Sequence, residues 1–131
     1  MKRTWPIIGV KDVVASSRWY LSLLGLEPRP PGHDDFDIIS DDDDTVLVAL
    51  HAWGAHGEGP PLQAPGGEAP GNGVLLFLRV DDFDATLDRA RTLVARFETD
   101  PEVFLSGPDT ASFTVRDPDG YYLTVNAIRP G

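Results

Sequence analysis

The chain has 131 residues, 41% of them apolar and 24% charged, which is the composition of one globular domain or of two small halves sharing a core. Eleven basic residues against 21 acidic ones give a net charge of −10, which opposes binding to nucleic acid or to anionic membranes. The absence of cysteine excludes disulfides, thiolate metal sites and Cys nucleophiles, and no apolar run approaches the ~20 residues of a membrane span.

The opening Met1-Lys2-Arg3-Thr4-Trp5-Pro6 lacks the apolar stretch of a secretory signal, which sets the expectation of a cytoplasmic protein. The β-branched run 4–10 predicts a strand. Asp12 can cap a helix over 13–24, whose Val13, Val14, Trp19, Tyr20, Leu23 and Leu24 are placed to bury one side. Gly25 ends that helix, and Pro28, Pro30 and Pro31 prevent its resumption. Residues 36–39 read as a strand, Asp41-Asp42-Asp43-Asp44 as a hairpin turn, and 45–53 as the returning strand. Residues 54–72 are rich in Gly, Pro and Ala and read as an exposed linker. A second strand–helix pair follows over 73–80 and 83–94, with Asp81 or Asp82 as the cap. Short strands are expected at 103–105 and 112–115. Asp117-Pro118-Asp119-Gly120 has the chemistry of a tight turn, and 121–128 is the last strand.

The order is β-α-β-β, linker, β-α-β-β, with room for one more short strand per half. Sliding one half over the other by 70 residues places Val10-x-Asp12-Val13-x-Ala15 on Val80-x-Asp82-Phe83-x-Ala85. The strand-to-helix junction repeats with its cap in register, which points to a duplicated module.

Three stretches carry a resemblance to a known family. They are Ile8-Gly9-Val10-Lys11-Asp12-Val13-Val14-Ala15-Ser16-Ser17-Arg18-Trp19-Tyr20 through Leu24-Gly25-Leu26, then Leu78-Arg79-Val80-Asp81-Asp82-Phe83-Asp84-Ala85, then Phe113-Thr114-Val115-Arg116-Asp117-Pro118-Asp119-Gly120-Tyr121. Together they resemble the vicinal-oxygen-chelate superfamily of glyoxalases, extradiol dioxygenases and bleomycin resistance proteins. The resemblance implies an α+β fold of two βαβββ modules. These would form a curved mixed sheet with a concave cleft and carry their helices on the convex side. Module one would cover 1–53 and module two 73–131, joined by the linker 54–72. It also implies a homodimer.

Metal-dependent members of that superfamily place His and carboxylate ligands on the concave face. By position these fall here on Trp5, Val48, Leu75 and Thr124, none of which suits Zn, Fe, Mn or Ni. No metal or other cofactor is therefore expected. His33, His51 and His56 are the only histidines. His51 either makes an edge contact or faces the cleft if its strand register slips by one residue. His56 and Glu58 read as solvated linker. The run of four aspartates lacks the spacing and terminal Glu of an EF-hand loop.

Counting by twos from the former ligand positions predicts the concave face. It gives Trp5, Ile7 and Gly9 on the first strand, and Val46, Val48, Leu50 and Ala52 on the strand over 45–53. In the second half it gives Leu75, Phe77 and Arg79, then Tyr122, Thr124 and Asn126, with Ser112, Thr114 and Arg116 beside them. Trp53 stands at the rim. The opposite face is expected to be core: Ile8, Val10, Leu47, Ala49, Leu76, Leu78, Val80, Phe113, Val115, Leu123 and Val125. The concave set is mainly apolar and aromatic with a few polar groups, as organic-ligand pockets are. No Ser has an identifiable His and acid partner, and no Gly-rich phosphate loop precedes a helix.

The candidate ligand-binding residues are thus Trp5, Ile7, Val48, Leu50, His51, Trp53, Leu75, Phe77, Arg79, Tyr122, Thr124 and Asn126, with no catalytic residue. The expected partner is a small aromatic molecule such as an antibiotic, held stoichiometrically by a resistance protein. The alternatives are a metal-dependent lyase, isomerase or dioxygenase of the same superfamily, and a module whose cup is plugged by Trp5.

Overall fold

A computed structural model describes residues 1–54, 62–67, 70–103 and 109–128; side chains are described outside 100–110. The chain forms two compact units, 1–70 and 71–131. His56 and Glu58 of the linker lie outside the described residues.

The first unit contains β1 (Ile7–Val10), α1 (Val13–Leu24), β2 (Phe36–Ser40) and β3 (Val46–Ala52), with sheet order β1-β3-β2. β1 runs parallel to β3, and β2 runs antiparallel to it. The parallel pairing needs a crossover, and α1 supplies it. Its N-terminus is capped as expected, with the Asp12 carboxylate accepting from the Ala15 amide at 3.0 Å. Gly25 ends it in the left-handed region at φ 67°, and the Leu26 amide reaches back to the Leu21 carbonyl. Ile8, Val10, Val13, Tyr20, Leu23, Ile39, Val48 and Leu50 form the core between sheet and helix. Val14 does not join them. It is 37% exposed, one helical position away from the buried stripe. Asp37 of β2 is buried on the helix side. Its carboxylate accepts from the Ser17 hydroxyl of α1 at 2.5 Å and from Arg29 at 3.0 Å, which ties the Pro-rich segment to the sheet.

The acidic run makes the expected hairpin turn between β2 and β3. The Asp44 amide donates to the Asp41 carbonyl, Asp44 lies at φ 68°, and the Thr45 amide donates to the Asp43 carboxylate.

The second unit contains a short 3-10 turn (Pro70–Gly73), β4 (Leu75–Val80), α2 (Phe83–Leu93), β5 (Thr99–Val103), β6 (Asp109–Arg116) and β7 (Tyr122–Ile128), with sheet order β4-β7-β6-β5. The parallel β4–β7 pair repeats the β1–β3 pair, and β6 takes the place of β2. β5 has no counterpart among the described residues of the first unit. The expected strand over 103–105 lies earlier, at 99–103. The Asp-Pro-Asp-Gly turn joins β6 to β7. The Asp117 carboxylate is nearly buried and accepts from the Asp119 and Tyr121 amides at 2.9 Å, and Gly120 takes φ 92°. Phe113, Val115, Leu123 and Val125 are fully buried, with Phe83 and Phe97 packed on Phe113. The chain is therefore α+β with two mixed sheets. No described helix is long and apolar enough to cross a membrane.

Candidate functional site

Each sheet has one face under its helix and one face without a helix. Strand register decides which side chains share a face, because directly opposed residues point the same way.

In the first unit, Ile7 opposes Ala49, Gly9 opposes His51, and Phe36 also opposes His51. Ile8 opposes Leu50, and Val10 opposes Ala52. Val48 and Leu50 therefore lie on the helix side with Ile39 and Ile8 as core, and not on the ligand-facing side expected for them. Ala49 and His51 take that side, together with Leu47 by alternation. The error is one residue of phase. Residues 46–50 are apolar without a break, so the period-two pattern carries no phase on this strand.

The corrected face carries an aromatic row. Trp53 continues the alternation from His51, and its six-membered ring lies directly against Gly9. A Cβ on Gly9 would sit 2.1 Å from Cζ3 and 2.4 Å from Cη2. Only glycine leaves room for the indole there. Beside it stands His51, whose Nδ1 lies 2.5 Å from the Ala52 carbonyl oxygen. Phe36 follows, edge-on to the imidazole at 6.1 Å between ring centres. Ile7 on the same face is 50% exposed. Trp5 precedes β1 at its other end and is 52% exposed, bordering a depression of about 320 Å³ with Asp43, Asp44 and Val46. The fold thus groups Ile7, His51 and Trp53, and sets Trp5 apart at the opposite end of the strand.

In the second unit all six expected residues share the helix-free face. Leu75 opposes Tyr122, Phe77 opposes Thr124, and Arg79 opposes Asn126. Ser112, Thr114 and Arg116 of β6 oppose Asn126, Thr124 and Tyr122 and complete the face. Leu75 and Phe77 are more than half exposed on the edge strand β4. The rest is a polar lattice. The Arg79 Nε donates to the Asn126 Oδ1 at 3.0 Å, and the Asn126 amide donates to the Ala111 carbonyl at 3.2 Å. The Thr114 and Thr124 hydroxyls are 2.8 Å apart. The Arg116 guanidinium lies over the Tyr122 ring at 3.8 Å and also donates to its hydroxyl, to Glu98 and to the Gly120 carbonyl. This network fixes the Tyr122 ring. The sequence signal for it was the pair of strands 112–116 and 122–126 read two residues at a time.

The donor chemistry does not fit a metal. Trp5 offers an indole, Leu75 offers hydrocarbon, Thr124 offers one hydroxyl already bonded to Thr114, and the open face of β3 offers Ala49 and the lone imidazole of His51, Val48 being core. Among the described residues, no three His, Asp or Glu side chains cluster as a metal site would require.

A sequence profile of the Glyoxalase/Bleomycin resistance protein/Dioxygenase superfamily matches residues 4–125. No curated protein sequence matches the chain. Solved structures share the fold at low identity. One is a glyoxalase/bleomycin resistance protein from Catenulispora acidiphila DSM 44928, at 22% identity and TM-score 0.62, covering 98% of this chain and 100% of that one. Another is TioX from Micromonospora sp. ML1, at 16% identity and TM-score 0.64, covering 97% and 100%. A third is a lactoylglutathione lyase from Agrobacterium tumefaciens, at 18% identity and TM-score 0.64, covering 96% and 92%. With a duplicated strand–helix module and a profile match over nearly its whole length, this chain belongs to the Glyoxalase/Bleomycin resistance protein/Dioxygenase superfamily.

Proposed function

We propose that the protein binds a planar aromatic small molecule without a metal and without turning it over, in the cleft of a homodimer. The observation that carries this reading is the Trp53 indole seated on Gly9, in one row with Phe36 and with His51, a lone imidazole with no cluster of further metal-ligating side chains among the described residues. A flat, half-buried aromatic surface favours stacking. The second unit's own helix-free face carries two guanidiniums, a phenol and an amide held in place by hydrogen bonds, groups of the kind that orient polar substituents. The biological role is drug resistance by sequestration, in keeping with a structural relative described as a glyoxalase/bleomycin resistance protein. Protection then scales with the amount of protein, since each site removes one molecule.

The test is a titration of the purified protein with a panel of aromatic antibiotics, following tryptophan fluorescence. Saturable quenching is expected with wild type, weakened roughly tenfold or more in Trp53→Ala, where a stacking surface is lost. Quenching unchanged in both Trp53→Ala and Trp5→Ala would overturn the reading.

A further inference from the structure

A second concave surface lies on the helix side of the first unit, away from the aromatic row. Val14, Arg18, Leu21 and Ser22 follow one another at spacings of four, three and one, so they form one stripe along α1. The chain leaves the helix at Gly25 and returns alongside this stripe through Pro28, Arg29, Pro30 and Pro31. A groove of about 650 Å³ remains between the two, within the size range of sites for small organic ligands.

Both walls are set. The proline rings fix φ along one wall. Arg29 pins that wall to β2, donating to the Asp37 carboxylate at 3.0–3.1 Å and to the Ile38 carbonyl at 2.7 Å. The groove is thus pre-formed and does not have to be ordered by its occupant.

Its charge is the reverse of the molecule's. The chain carries −10, yet the lining residues include two arginines and no carboxylate. Arg29 is balanced by Asp37 behind it. Arg18 makes no ion pair or hydrogen bond among the described residues and stands at an apolar surface of Val14, Leu21 and the prolines. One uncompensated guanidinium beside a hydrocarbon trough matches one anionic head on a hydrocarbon body.

We propose that this groove is a binding site for a small amphipathic carboxylate, with Arg18 holding the carboxylate and Val14, Leu21 and Pro31 covering the apolar part. The site is separate from the aromatic face and does not depend on what that face binds.

The test uses octanoate, with octylammonium and 1-octanol as cationic and neutral controls, followed by the backbone amide NMR spectrum of the full chain. Octanoate is expected to shift the Val14, Arg18 and Ser22 amides saturably and to leave the His51 amide in place. Octylammonium is expected to leave all four unmoved. Arg18→Glu, an exposed substitution that keeps the fold, should weaken binding by roughly tenfold or more, and Arg18→Lys should keep most of it. The absence of a saturable shift at these amides would overturn the proposal. So would equal shifts from all three compounds, shifts confined to the aromatic face, or an Arg18→Glu variant that binds as wild type does.

Discussion

The two units share a topology and differ in what they do with it. Gly9 and Arg79 stand 70 residues apart at the same place in the repeat, and each opposes one residue of the parallel partner strand, His51 or Asn126. In the first unit that row is Gly9, His51 and Phe36, with Trp53 laid over the glycine. In the second it is Arg79, Asn126 and Ser112, knit by hydrogen bonds. One face offers ring surface and the other offers placed polar groups. The same contrast appears at the helix caps. Asp12 caps α1 through a backbone amide, whereas Asp82 makes no backbone cap and accepts instead from the Thr86 hydroxyl and from Arg89. Duplication preserved the pairing of strands, which is set by backbone hydrogen bonds. The side chains on the helix-free faces differ between the two units.

The contrast can be broken first at the glycine. Gly9→Ala drives a methyl into the Trp53 ring and should cost about 3 kcal/mol in urea unfolding, with a changed tryptophan emission. In a Trp53→Ala background the same substitution should cost little, because the obstructing ring is gone. Its counterpart in the repeat, Arg79→Ala, removes an exposed side chain but also the donor to the buried Asn126 side-chain carbonyl oxygen, and should cost about 1 kcal/mol. Equal costs at the two positions would mean that Gly9 is not a seat for the indole.

Next comes the polar lattice. Asn126 is 1% exposed and bonds to both Arg79 and the Ala111 carbonyl. Asn126→Ala should therefore destabilise by about 2 kcal/mol, measured as a lower urea midpoint. Thr124→Val removes one hydroxyl of a half-buried pair and should cost only about 0.5 kcal/mol. A Thr124→Val effect larger than that of Asn126→Ala would place the anchor of this face elsewhere.

The smallest effect lies at the acidic turn. Hydrogen bonds from the Thr45 side chain and then its backbone amide hold the Asp43 carboxyl below its ordinary value of 3.8. A carboxyl lowered on folding contributes to stability above 3.8, and that contribution is lost as pH falls through the folded value. The carboxyl signal of Asp43 should titrate below 3.8 in the folded protein, and Thr45→Val should move it upward.

Much of this was legible in the sequence, for physical reasons that differ between the units. The Asp12 cap, the Gly25 stop and the Asp-Pro-Asp-Gly turn rest on local backbone chemistry and form as read; the repeated strand–helix junction also forms, but Asp82 stands at its N-cap without a side-chain bond to the helix backbone. The face of the second sheet was legible because polar and apolar residues alternate over 112–116 and 122–126. The face of β3 was not, because apolar residues fill both of its sides and phase is then set only by pairing with β1 and β2. Counting by twos from Val48 therefore puts Val48 and Leu50 on the ligand-facing side and Ala49 in the core, one residue out of phase with the pairing. The seat of Trp53 on Gly9 joins residues 44 apart, and no local pattern reports such a contact. The groove beside α1 had a partial signal in Pro28, Pro30 and Pro31, which read only as a helix stop.

Stoichiometric binding on the aromatic face, without metal and without turnover, is what we propose. The most direct measurement incubates chelator-treated protein with a quenching ligand at equal concentration, then releases the ligand by denaturation and determines its mass. One ligand per chain or per two chains is expected, unchanged in mass, with the same affinity before and after chelation. A converted ligand, or binding that appears only on adding a divalent metal, would contradict it.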